Sequence, residues 1–458
     1  MKRLVAFWML CLMMVGLAHA QQPRVESWSG ALQVGAQRLR IGFDLTTSPD
    51  GRHRCTMDVP EQGAFGVPVE VVLNRADTLQ LAITALQAGY VGQRTSDGRI
   101  VGRFSQRGYD FELILHAGKI VLNRPQTPAP PFPYRSEELT FRNEAEGAVL
   151  SGTLTYPVDY DPQRASETPV VLLVTGSGGQ NRDEELFGHK PFLVIADHLA
   201  RNGIATLRYD DRGVGRSSGP TTDLTTLNLL ADAEAGVAAL RAKGGFGRIG
   251  VAGHSEGGTI ALMMGARGSV DFVVSLAGGV ADGITILVGQ NGAQMQQQGL
   301  PKQLVEDYCQ ALRVLYRDRV AQLPIYDAKT YVETLCAVQQ LNLPEPLKAN
   351  LAQCLTAGGA WMTWFLGNDP TEAVRQIRCP VMAVNGTLDL QVLCADNLPL
   401  VRSHLPADPR HLIKEYEGLN HLFQPCTTAT ALSYGMIEQT LSEELLHDIV
   451  TWVKGCAE

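Results

Sequence analysis

The stretch "RIGVAGHSEGGTIALMMG", Arg248 to Gly265, begins as a strand and ends as a helix. Its first residues are small or β-branched, its middle is polar or glycine, and its last turns are rich in helix formers. Where the character changes, a lone serine, Ser255, stands between Gly253 and Gly257 in the pattern G-x-S-x-G. A serine on a sharp strand-to-helix turn lifts its hydroxyl above a sheet, and flanking glycines keep neighbouring side chains away from it. The helix N-terminus that follows favours negative charge as it develops. With 46 glycines in the chain, the bare pattern also fits an ordinary glycine-rich turn. Its meaning therefore rests on partners elsewhere.

Working outward, apolar runs alternate with helical patterns. "PVVLLVTG" (169–176), a helix through "FLVIADHLARNG", "IATLRYD" (204–210) and a helix from Leu224 to Lys243 precede the serine stretch, and "DFVVSLAGG" (271–279) follows it. Uninterrupted apolar strands alternating with helices predict a parallel sheet covered on both faces. The rhythm breaks over 280–370, which reads as an inserted helical cap, and resumes at "CPVMAVNG" (379–386) and "HLIKEYEG" (411–418). The expected core is thus 135–279 plus 371–458. Upstream, 21–122 has period-two patterns such as "LRIGFDL" and "FELIL", predicting a small all-β domain, barrel or sandwich. "NRPQTPAPPFPY" (123–134) reads as a proline-rich, semi-rigid linker.

A nucleophilic serine needs a base, and the base needs an orienting carboxylate. In a parallel sheet these gather beyond the carboxyl ends of strands. Asp389 follows "VMAVNGTL" and meets that condition. His404 and His411 precede the final strand and His447 lies within the last helix, which leaves His421, just after Gly418. Oxyanion donors are expected from the backbone of Glu256 and from Ser177 or Gly178 in "TGSGGQNRDE". That loop lacks a Walker lysine and a G-x-G-x-x-G pattern, so it does not read as a phosphate cradle.

Residues 139–455 resemble the α/β-hydrolase superfamily, and within it serine carboxylesterases with a helical cap. The resemblance is carried by "GSGGQNRDE", "RYDDRGVGRSSG", "GHSEGG", "WFLGNDPTEAVRQIRCPVMAVNGTLDLQV" and "GLNHLFQ" in that order. It implies hydrolysis of small or medium acyl esters through an acyl-enzyme, with Ser255, Asp389 and His421 as triad and no metal or organic cofactor. It also implies that "DDRGVGRS" (210–217) is a structural turn. A serine peptidase of the prolyl-oligopeptidase-like type and an esterase of acylated carbohydrates are the rival activities. Trp361, Trp364 and Phe365, at the end of the cap, are candidate substrate-binding residues.

Composition bounds the partners. A formal net charge of −8 with no basic tract argues against nucleic acid. Residues 1–20 have a basic start, an apolar run and Ala18-His19-Ala20, the pattern of a cleaved secretory signal. The expected location is secreted or periplasmic, with no membrane span once the signal is removed. A glycan or protein contact through the N-terminal domain is a further expectation. Eight cysteines follow Cys11, and in an oxidising compartment they are expected to form disulfides rather than metal sites. Cys394–Cys426, five residues beyond Asp389 and His421, and Cys379–Cys456, at the opposite end of the sheet, are the candidate pairs.

Overall fold

The computed structural model describes residues 24–34 and 37–457, so the signal-peptide reading lies outside the described residues. The chain divides into two compact units, Met1–Val121 and Leu122–Glu458.

The first unit is a closed up-and-down barrel whose strands pair in chain order. They are β1 (Arg24–Val34), β2 (Gln37–Thr47), β3 (His53–Val59), β4 (Ala64–Asn74), β5 (Thr78–Ile83), β6 (Ala88–Arg94), β7 (Arg99–Gln106) and β8 (Tyr109–Ala117). Closure pairs Trp28 of β1 with Ala117 of β8. Leu39, Ile41, Phe43 and Leu45 all point inward, as their alternation requires. Large side chains, Tyr90 and Phe43 among them, fill the barrel interior.

The second unit is built on an eight-stranded sheet of order β16-β15-β14-β13-β11-β12-β10-β9. Its strands are β9 (Ser136–Asn143), β10 (Ala148–Thr155), β11 (Val170–Val174), β12 (Ala205–Tyr209), β13 (Ile249–His254), β14 (Phe272–Leu276), β15 (Val381–Gly386) and β16 (Leu412–Tyr416). Strands β11 to β16 are parallel, and β9 and β10 form the antiparallel edge. Every residue of β11 to β15 is buried, which is why these runs do not alternate. The helices α1 (Pro191–Arg201) and α11 (Glu443–Ala457) pack on one face. On the other lie α2 (Thr226–Lys243), α3 (Glu256–Ala266), α9 (Thr371–Gln376) and α10 (Cys394–His404). From β11 the chain crosses to β12 on one side and then to β13 on the other. That reversal opens a crevice at the carboxyl ends of β11 and β13, where ligand sites form in open α/β sheets.

Between β14 and β15 run α4 (Gly283–Gln297), α5 (Lys302–Val320), α6 (Ala328–Val338), α7 (Glu345–Thr356) and α8 (Gly359–Gly367), followed by α9. Helices α4 to α8 share their own core around Tyr308, Leu312 and Leu315. The short α9 instead buries Val374 against the sheet. No helix among the described residues is long and apolar enough to cross a membrane.

Two expectations need correction. The proline-rich segment is fastened to the second unit. Arg124 donates to the carbonyls of Gly435 at 2.7 Å and Phe187 at 3.0 Å, and Gln126 accepts from the N–H groups of Thr440 and Leu441. The eight described cysteines are all free thiols. Cys394 lies in the core under α10, whereas Cys426 belongs to a turn whose Leu419 and Phe423 enter the core of the other face. Cys379 and Cys456 likewise pack into cores on opposite faces. Burial pushes the thiols of Cys379, Cys394 and Cys456 up to about 11, so they behave as small apolar side chains.

Candidate active site

Ser255 sits between β13 and α3 at φ 55°, ψ −119°. Such a conformation costs a serine about 1–3 kcal/mol and persists only where its surroundings impose it. The surroundings here are backbone. The Ser255 N–H donates to Leu276 O at 2.8 Å, and Ser255 O accepts from the N–H groups of Gly258 and Thr259. A Cβ at Gly253 would lie 1.9 Å from Gly257 O, and one at Gly257 would lie 2.1 Å from Val174 O. Both glycines of the G-x-S-x-G pattern are therefore required by contact with main chain that cannot give way.

Asp389 and His421 are brought together from the loops after β15 and β16. The His421 Nδ1–H donates to Asp389 Oδ2 at 2.8 Å. Asp389 Oδ1 is held by the N–H groups of Gln391 and Val392, at 2.8 and 3.0 Å. Both side chains are at most 3% exposed. Fixing the proton on Nδ1 leaves Nε2 as the basic atom. Asn420 braces the histidine turn, its Oδ1 accepting from the N–H groups of Leu422 and Gln424. No hydrogen bond joins Ser255 Oγ to the His421 ring; such bonds commonly tighten only when substrate is bound.

The loop after β11 is held by the turn at 210–217. Asp210 accepts from the backbone and guanidinium of Arg182 and from the Arg216 N–H. Asp211 accepts from Thr175 Oγ1 and the Gln180 N–H. A Cβ at Gly215, whose φ is +55°, would strike the Asp210 carboxylate. Burial raises the Asp211 carboxyl to about 7 against the opposing effect of these hydrogen bonds. The turn thus fixes the height of Ser177, which lines the same cavity as Ser255, whereas Gly178 lines an adjoining one. Of the two, Ser177 is the better placed as an oxyanion donor. The Glu256 N–H opens α3 and, as a first-turn amide, has no partner within the helix.

Two residues that the sequence left without a role complete this floor. His254, inside the elbow, and Glu184, at the end of "GSGGQNRDE", are both buried and lie 3.0 Å apart, and Glu184 also accepts the Gly176 N–H. The motifs that contain them were the available signal.

The cavity containing Ser255 has a volume of about 210 Å³, with Ile286, Leu287, Phe365 and Val392 among its apolar walls. Trp361 and Phe365 stack at 5.0 Å and both line it. Trp364 lines a separate cavity of about 20 Å³. Beyond Trp361 lies a wider cavity of about 430 Å³. Among the described residues there is no group of three or more His, Cys, Asp or Glu side chains placed to hold a metal ion.

A model of the Alpha/beta hydrolase family matches residues 170–430, which span β11 through the histidine turn. The chain belongs to the α/β-hydrolase family. A stretch of 128 residues is 34% identical to Esterase EstD of Thermotoga maritima, covering 28% of this chain and 30% of that protein. The chain is also similar to the solved structure of the Pyrococcus furiosus esterase Pf2001, at 17% identity and a TM-score of 0.43, over 74% of this chain and all of that one. The esterase domain of a Rhodothermus marinus protein is similar at 15% identity and a TM-score of 0.37, over 71% of this chain and all of that domain.

Proposed function

We propose that this hydrolase is a serine carboxylic-ester hydrolase working through an acyl-enzyme. The observation that carries the reading is the Ser255 elbow, a strained serine imposed by main-chain contact at the sheet's switch point, with the Asp389–His421 pair on the neighbouring loops. In this reading Ser255 Oγ attacks the ester carbonyl while His421 Nε2 takes its proton. The tetrahedral oxyanion is held by the N–H groups of Glu256 and Ser177. Collapse breaks the bond to the alcohol, which leaves with the proton from His421. Water, deprotonated by the same nitrogen, then attacks the acyl-serine and releases the acid. Asp389 holds the tautomer and stabilises the imidazolium that forms.

The test is Ser255→Ala. Ester hydrolysis should fall on the order of 10⁶-fold, and labelling by a fluorophosphonate probe should vanish while the fold is kept. Labelling that survives in this variant overturns the assignment. The proposal also places the enzyme outside the cytoplasm, on the strength of the 1–20 pattern; a mature N-terminus at Gln21 is the expected result of sequencing the exported protein.

A further inference from the structure

The side chain of Glu256 has no part in the acyl-enzyme steps, which use only its backbone N–H. It is nevertheless 7% exposed, next to the nucleophile, and committed through one oxygen only. Oε1 accepts from Thr226 Oγ1 at 2.5 Å and from Trp361 Nε1 at 2.8 Å. Oε2 is buried with no hydrogen-bond partner. Buried polar atoms are almost always paired, because an unmade hydrogen bond to a charged group is costly, and an exception calls for a function.

Its place supplies one. Three cavities meet at Glu256: the one containing Ser255, the wider one beyond Trp361, and the small one beside Trp364. The wider cavity also carries Asp211 and Asp223. Its arginine, Arg212, is bound to Asp232 through both Nε and Nη2 at 2.7 Å and does not neutralise them. The walls nearest Ser255 are apolar or uncharged apart from Glu256 itself. A carboxylate oxygen left without a donor beside these cavities selects for one, and the exposed Asp223 carboxylate of the wider cavity favours a cationic one.

We infer that the Glu256 carboxylate is a substrate anchor, accepting a hydrogen bond from an ammonium or hydroxyl group carried within a few bonds of the ester that Ser255 attacks. The ammonium is the stronger ligand of the two. This rests on the ester-hydrolase reading for its place in the reaction, but binding tests it separately from turnover.

The experiment uses the full chain carrying Ser255→Ala, with three isosteric esters: glycine methyl ester, methyl glycolate and methyl propionate. They present an ammonium, a hydroxyl and a methyl group at one position. The next longer series, from β-alanine, 3-hydroxypropionate and butyrate, covers a second reach. Binding is read by NMR titration. The amine of at least one series should bind about 10- to 100-fold tighter than its methyl counterpart, the range for a charge-assisted hydrogen bond, with the hydroxyl between them. Adding Glu256→Gln keeps an oxygen for Thr226 and Trp361 but replaces the other acceptor by a donor. That change should abolish the amine preference. Equal binding of all three terminal groups in both series, or a preference that survives Glu256→Gln, overturns the anchor. Hydrolysis of methyl propionate and p-nitrophenyl acetate by the unmodified chain is measured alongside. Failure there, with the binding preference intact, sinks the ester reading and not the anchor.

Discussion

The ring of His254 lies 4.8 Å from that of His421, and its Nε2 is 2.9 Å from the backbone oxygen of His421 itself. Its other nitrogen, Nδ1, is 3.0 Å from Glu184 Oε1. A carbonyl and a carboxylate can only accept, so both contacts are hydrogen bonds at once when the His254 ring is protonated. Burial opposes the charged form, but the adjacent Glu184 carboxylate, the His421 carbonyl and the Asp389 charge together outweigh it, so the balance raises the His254 pKa. Glu184 also accepts the Gly176 N–H. One buried His–Glu pair therefore ties together the loop after β11, the elbow and the histidine turn.

Replacing His254 by Phe removes the imidazole and leaves Glu184 buried with the Gly176 N–H as its remaining donor. Breaking a buried pair in this way costs about 3–5 kcal/mol, to be read as a shift in denaturation midpoint. Because the folded-state pKa is raised, the pair's contribution is fully present below the ordinary imidazole range and is lost as pH rises through the raised value. Stability of the unmodified chain should thus fall on the alkaline side by a component absent from His254→Phe. A variant within about 1 kcal/mol of the parent would show that the pair does not hold these loops.

For the proposed base, Asp389→Asn tests the tautomer argument. Asp389 accepts at both oxygens, from two N–H groups on one side and from His421 Nδ1–H on the other. An amide nitrogen facing the ring favours the proton on Nε2, the atom that must be basic. Turnover should drop about 10⁴-fold with little change in KM, and His421→Ala should lose more. Loss of less than about tenfold in Asp389→Asn would remove Asp389 from the role.

Asp211 should make stability pH-dependent near neutrality. Its folded-state carboxyl is raised to about 7, so the folded chain holds a proton that the unfolded chain, with an ordinary carboxyl, has lost. The resulting stability is fully present below the ordinary carboxylate range and disappears as pH rises through about 7. Asp211→Asn should remove that decline, flattening the melting temperature between pH 5 and 8 by an amount worth up to a few kcal/mol. An unchanged slope would place the titration elsewhere.

How much of this was readable in the chain depended on whether a signal is local. The elbow, the buried strands and the inserted helices each reside in one contiguous pattern, and period-two alternation in 39–45 is enough to say which side chains fill the barrel. Asp389 and His421 were legible because the end of a strand is legible. His254 and Glu184 were not, since their pairing joins positions seventy residues apart and looks like two unrelated polar residues until the sheet is assembled. The cysteines show the opposite error: nearness at one end of a sheet was readable, but the face each thiol packs into was not. Trp364 likewise shares a helix with Trp361 but lines the small cavity and not the one containing Ser255, whereas Phe365 lines both.

Glycines divide sharply by what a Cβ would meet. At Gly257 it would strike Val174 O at 2.1 Å, whereas at Gly455, in α11, it would meet nothing within 4 Å. Gly257→Ala should abolish activity through a distorted elbow, detected as loss of fluorophosphonate labelling. Gly455→Ala should stabilise the chain by about 0.5–1 kcal/mol through helix propensity alone. An active Gly257→Ala variant would contradict the close packing described for the elbow.

The barrel has its own core, with Tyr90 buried at its centre and its hydroxyl 3.1 Å from Ile100 O and 3.2 Å from Leu113 O. Glycines at 92 and 102 make room for that ring, since a Cβ at either would approach the Tyr90 hydroxyl within 2.8 Å. Residues 24–121 should therefore unfold cooperatively by themselves, and Tyr90→Phe should cost them about 1 kcal/mol. For the hydrolase, the composition suggests cutting after the proline-rich run, at Tyr134. The hydrogen bonds argue for Leu122, because Arg124 and Gln126 satisfy main-chain groups at Gly435, Thr440 and Leu441, just before α11. Cutting at Tyr134 leaves those groups unpaired and should lower stability by about 1–3 kcal/mol for each one that stays buried. A chain starting at Leu122 should keep the proposed ester hydrolysis and melt measurably higher than one starting at Tyr134. Equal melting temperatures would mean that the segment is only a spacer after all.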